Sequence, residues 1–207
     1  LLDESQEFAV VTFNNLGYNL SFEQPEAAED EEKKPEEHNI WNYFHIPYID
    51  ILMDHPFHYE KPLCNMPETA VILCTDRNHV KYIRRFFKNI HRTDFLPHAG
   101  VELGHKHKPL NDRNIDVLYA GALPIYTVAK MIPDLHSIPE VDGEHMMQSV
   151  LGELVQHPEQ TTEQAIEAYV KSVRGDISDE RLQEIIVKMR FLDSYATSFF
   201  REQAVRI

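Results

Sequence analysis

Cysteine, glycine, tryptophan and basic charge are all scarce. The 207 residues hold two cysteines, one tryptophan and seven glycines, and Lys plus Arg number 20 against 34 for Asp plus Glu. Each shortage excludes something. Cys64 and Cys74 are too few, and their spacing is wrong, for a disulfide framework or a zinc site. Cys74 closes the apolar run AVILC and is expected to be a buried structural thiol. A formal charge of −14 speaks against a nucleic-acid partner, because such binding rests on clustered Lys and Arg that displace counterions. No run approaches the roughly 18 to 20 apolar residues of a membrane span, and no basic stretch precedes an apolar signal core. The expectation is a cytoplasmic protein without a membrane span. The few glycines form no GxGxxG, no GxxxxGK[ST] and no GxSxG, so dinucleotide binding, a P-loop and a hydrolase elbow all lack support.

What remains is apolar enough, at 43%, to build a core. The run FAVVTF from Phe8 to Phe13 suits a strand buried on both faces of a parallel sheet, with Asn14, Asn15 and Gly17 at its exit. From Glu23 to Glu37 the chain carries eight carboxylates, two lysines and two prolines with no large apolar residue. Such a tract cannot offset its ordering entropy, and an exposed mobile insertion is expected. Beyond it, strand and helix signals alternate. YIDILM from Tyr48 to Met53, AVILC from Ala70 to Cys74, Phe95 to Pro97, and IDVLY from Ile115 to Tyr119 are expected strands. Arg77 to Asn89 carries Val80, Ile83 and Phe87 at helical spacing. After Pro139 the pattern is helical, with Thr161 or Thr162 as a cap and a last helix opening at Ser178 and running to the end. The fold class is α/β, a Rossmann-like parallel sheet with flanking helices and a mainly helical C-terminal part. Residues 1–104 are expected to form a partial N-terminal domain with an acidic insertion at 23–38. Residues 105–114 are the linker, and 115–207 the start of a second domain, one strand and then helices.

Chemistry is expected where strands leave the sheet, because ligand crevices of open α/β folds lie outside the carboxyl ends of strands. Asp54-His55-Pro56-Phe57-His58 stands there. Asp54 can orient His55, and His55 can then serve as general base on an acceptor hydroxyl. Equally, Asp54 can cap loop amides while His55 packs on Pro56. Asn14 at the exit of the first strand, His98 in the segment Pro97 to Gly100, and Gly121 after IDVLY are candidate substrate contacts; a loop histidine and a plain tight turn are the alternatives for the last two. The histidine pairs His55/His58 and His105/His107 lack a third convergent ligand, so no metal site is expected.

In order, the segments PYIDILMDHPFHY, VILCTDRNHVKYIRRFF, DFLPHAG, NIDVLYAGAL and FLDSYATSFFREQAV resemble glycosyltransferase-like proteins related to bacterial spore-maturation proteins of the CgeB type. The resemblance covers most of the chain from Ile40 onward as short patterns. It implies a two-domain GT-B architecture that transfers sugar from a nucleotide-sugar donor to an acceptor in the interdomain cleft. No cofactor beyond the donor substrate is implied. His55 and His98 would then face the cleft from the acceptor side, with Gly121 near the donor phosphates. Ala99 stands where such proteins often have glycine. The start at Leu1 without Met and the end at Ile207 fit a piece of a longer protein, with the acidic ribose contact expected beyond Ile207. The alternative is a non-catalytic Rossmann-like binding or regulatory module.

Overall fold

The computed structural model of the protein describes residues 7–24, 36–100, 104, 109–114, 138 and 141–205. Along the chain come β1 (Val10–Phe13), β2 (Ser21–Gln24), β3 (Glu36–Asn39), α1 (Ile40–Tyr43), β4 (Tyr48–Leu52), α2 (Glu60–Cys64), β5 (Ala70–Cys74), α3 (Arg77–Phe86) and β6 (Arg92–Phe95). Then follow α4 (Gly143–Gln156), α5 (Thr162–Arg174), α6 (Asp179–Lys188) and α7 (Phe191–Val205). The fold is α/β with a Rossmann-like parallel sheet and a helical C-terminal region. The chain gathers into two compact units. One comprises the described residues up to His98 with Ile177–Val187, and the other those of Ala99–Asp176 and Lys188–Ile207.

In the first unit the apolar runs pair as one parallel sheet in the order β1-β4-β5-β6. The strand period of two sorts the side chains by face. Tyr48, Leu52, Ala70, Ile72, Cys74 and Thr93 turn to the buried face, with Val80 and Ile83 of α3 and with Phe57 and Leu63 also in the core. Asp50 shares that buried face. Burial pushes the Cys74 thiol up to about 12, which keeps it protonated and unreactive. Asp76 caps α3 by accepting from the Asn78 amide at 2.6 Å.

Three expectations change in this unit. FAVVTF is not buried on both faces. Its strand lies at the sheet edge, with Val11 and Phe13 exposed, because only β4 pairs with it among the described residues. The last strand of this sheet is Arg92–Phe95 rather than Phe95 to Pro97. As the opposite edge among the described strands it tolerates Arg92 and Asp94, and only Thr93 turns inward, donating to the Ile72 carbonyl at 2.9 Å. The acidic tract is also ordered at both ends. β2 and β3 pair antiparallel with Phe22 opposite His38 and Glu23 opposite Glu37. The anchor is aromatic: Phe22 meets Tyr43 edge-on at 5.0 Å and stacks near Phe44 at 5.9 Å. Residues 25–35 lie outside the described residues, as do the IDVLY segment and Gly121.

The second unit joins α4, α5 and α7. Asp142 caps α4 through the amides of Glu144 and His145, and His145 Nδ1 lies 3.1 Å from the Tyr169 hydroxyl on α5. Thr162 donates to Asp193 of α7 at 2.9 Å. The helix expected from Ser178 to the end is two helices, broken at Met189 and Arg190 without a proline or glycine to mark it. Its first half, α6, belongs with the first unit, where Asp179 pairs with Arg85 of α3 at 2.6 Å.

Candidate functional site at the strand exits

All four strands of the sheet are parallel, so their carboxyl ends open on one edge. The exit of β1 is set by two consecutive residues in the left-handed region, Asn14 (φ 50) and Asn15 (φ 65), a conformation asparagine adopts more readily than other L-residues. What holds this turn is a carboxyl in the middle of β4. Asp50 is 0% exposed, and its Oδ1 accepts from the Asn15 amide at 2.9 Å. Thr12 Oγ1 lies 3.0 Å from the same oxygen and 3.1 Å from the Tyr48 hydroxyl, which donates to the Leu16 carbonyl at 2.9 Å. Burial pushes the Asp50 carboxyl above the usual carboxylate range, and the Asn15 and Thr12 hydrogen bonds only partly pull it back. Its second oxygen, Oδ2, is buried with no hydrogen-bond partner among the described residues.

The turn so fixed aims Asn14 across to the end of β4. Asn14 Oδ1 accepts from the Met53 amide at 2.9 Å, and its Nδ2 donates to Asp54 Oδ2 at 3.1 Å. Tyr59 donates to that same Oδ2 at 2.8 Å. Burial, and then the Asp54 carboxylate, raise the Tyr59 phenol to about 12, so it remains a donor across the neutral range. Asp54 itself is exposed. The network therefore presents an ionisable acceptor that is oriented by an amide and a phenol.

Of the residues expected from the sequence, Asn14 and Asp54 come together. His55 does not join them. Its Nδ1 accepts from the Phe57 amide at 3.2 Å, capping the tight helical turn Pro56–Tyr59, and its ring stacks on Phe57 at 3.7 Å beside His79 and Tyr82. An Nδ1 that accepts a hydrogen bond leaves the proton on Nε2, so this imidazole is a donor there and lacks the lone pair a base needs. His98 is exposed in the loop after β6, two strands away from β4. Two parallel spacings put those exits roughly 10 Å apart. Gly121 lies outside the described residues. Among the described residues no group of three His, Cys, Asp or Glu gathers as a metal site would require.

Tyr59 and Asp50 were missing from the sequence-derived set. For Asp50 the signal was present: in YIDILM the period of two places it between Tyr48 and Leu52, on the face that must be buried. For Tyr59 nothing in the sequence distinguishes its hydroxyl from that of any other tyrosine. Comparison with known proteins finds no matching family model, no matching curated protein and no matching solved structure.

Two predictions follow from this geometry. A carboxyl whose folded pKa is raised stabilises the fold fully below its unfolded value of about 3.9, and that contribution is lost as pH rises through the folded value. Asp50→Asn keeps an Oδ1 acceptor for Asn15 and removes the ionisation. The melting temperature of the variant should therefore climb relative to wild type as pH rises above the unfolded value of about 3.9, and parallel Tm-versus-pH curves would show that Asp50 does not ionise at a cost. The His55 cap is tested by comparing two substitutions that both lose the ring. Asparagine can still cap, so His55→Ala should be less stable than His55→Asn by about 1 kcal/mol in urea denaturation; equal stabilities would remove the capping role.

Proposed function

We propose that this chain forms the acceptor side of a nucleotide-sugar-dependent glycosyltransferase, with Asp54 in place of His55 as the group that receives the acceptor proton. The observation that supports this is the exposed Asp54 carboxylate, held by Asn14 and Tyr59 at the exits of two adjacent parallel strands. The same edge carries Asp76 and Thr75 at the exit of β5. A row of carboxylates, amide and hydroxyls suits the hydroxyls of a neutral acceptor sugar better than phosphate, which supports a reading with the donor diphosphate bound away from this row. In the step envisaged, an acceptor hydroxyl donates to Asp54 while its oxygen attacks the anomeric carbon. The carbon–oxygen bond to the nucleoside diphosphate breaks, the diphosphate leaves with the electron pair, and Asp54 takes the proton. His55 contributes by fixing the turn between Asp54 and Tyr59, as a positioning residue.

One observation favours the non-catalytic alternative. The described strands run in unbroken sequence order, β1-β4-β5-β6, without the reversal that opens a ligand crevice in doubly wound sheets. Kinetics separate the two. In the protein that carries this chain, Asp54→Asn should lower kcat for sugar transfer from uridine or guanosine diphosphate sugars by at least about a hundredfold, the usual minimum for a general base, with the donor KM unchanged. Transfer at the wild-type rate would rule out Asp54 as base. Absence of transfer by the wild type across such donors would favour the binding module.

A further inference from the structure

The exposed apolar side chains are not scattered evenly. Phe8, Val11, Phe13, Leu16 and Leu20 are five of the twelve large exposed apolar residues among those described, and all fall within thirteen consecutive positions on β1 and its exit turn. Val11 is 59%, Phe13 57% and Leu16 75% exposed. The same stretch is electrically empty: from Phe8 to Phe22 there is no charged residue, in a chain that carries −14. Its backbone is also open among the described residues. The amides of Val10 and Asn14 donate to the Pro47 and Ile51 carbonyls, so in a parallel ladder the amides of Val11 and Phe13 point away from β4, toward the edge that no described strand pairs.

From these three features we infer that β1 is a self-association edge, on which β1 of a second copy of this chain pairs antiparallel and extends the four-stranded sheet across a two-fold axis. Charge selects the occupant. Two copies of a strongly acidic chain repel wherever carboxylates meet, and an uncharged strip lets like molecules approach. The pattern is self-complementary as well. With the axis at Thr12, Val11 of each copy stands opposite Phe13 of the other, and the outward amides and carbonyls of these residues form the narrow hydrogen-bonded pairs of an antiparallel ladder. Val11 and Phe13 lie on one face of the strand, so their side chains pack across the axis as a β-branched and aromatic cross-strand pair. An edge strand of this kind is otherwise left as a template for uncontrolled pairing, and closed two-fold pairing consumes it.

The test is solution mass and amide exchange on the intact chain. Sedimentation velocity of the wild type at micromolar concentrations should give twice the monomer mass. Val11→Glu with Phe13→Glu, which places like charges opposite one another across the axis, should return the monomer mass with an unchanged circular dichroism spectrum. A wild type that stays monomeric throughout, or a double variant that still dimerises, overturns the proposal. Should the double variant fail to fold, the wild type still decides. On dilution through the dissociation range the Val11 and Phe13 amides should lose protection while those of Val10 and Asn14 keep it; protection of all four that ignores concentration contradicts a β1 interface.

Discussion

A carboxyl in the centre of a parallel strand, flanked on its own face by the buried side chains of Tyr48 and Leu52, is tolerated only when something donates to it. Here the donors are Thr12 on the neighbouring strand and the backbone of Asn15 just past that strand's end. That arrangement ties the first strand to the second, fixes two left-handed residues in succession, and determines where Asn14 points. Asn14 in turn reaches Met53 and Asp54. The candidate site is thus two hydrogen bonds away from a group that never meets solvent, and its geometry depends on a buried polar contact more than on the loop that displays it.

Charge works differently at the two ends of this system. Asp50 is buried, partly unsatisfied and pushed toward its neutral form, so its role is structural. Asp54, four residues on, is exposed and accepts from Asn14 and Tyr59 on one and the same oxygen. Environments that separate two carboxylates in this way are how a single sequence assigns one to architecture and leaves the other for chemistry. His55 follows the structural side of the same division, because its acceptor nitrogen is spent on the Phe57 amide.

The sheet was legible in the sequence because β4 and β5 are short apolar runs bounded by polar punctuation. The N-terminus of α3 and the start of α5 at Thr161 were legible for a similar local reason. What escaped depends on tertiary context. Phe8 to Phe13 reads the same at the centre of a sheet as at its edge, since apolar composition does not count the neighbours of a strand. Arg92–Phe95 pairs as a strand although its composition resembles a loop, because an edge needs only one inward residue. The ribbon at 21–24 and 36–39 was hidden under acidic composition, and its anchor, Phe22 against Tyr43 and Phe44, brings together aromatic residues some twenty positions apart. Asp54 and Asn14 were read as strand-exit residues from position alone; that they bond to each other, while His55 turns inward, depended on a register that no local pattern encodes.

The dependence of the site on Asp50 is tested most directly by native-state exchange at the amide of Asn15. That amide sits in a turn, where backbone N–H groups usually exchange quickly, yet here it donates to a buried carboxyl oxygen. It should exchange as slowly as the central amides of β4, and Asp50→Ala should release it together with the Asn14 side-chain amide while the amides of β5 stay protected. Exchange of Asn15 at the rate of an open loop in the wild type would contradict the claim that Asp50 holds the turn.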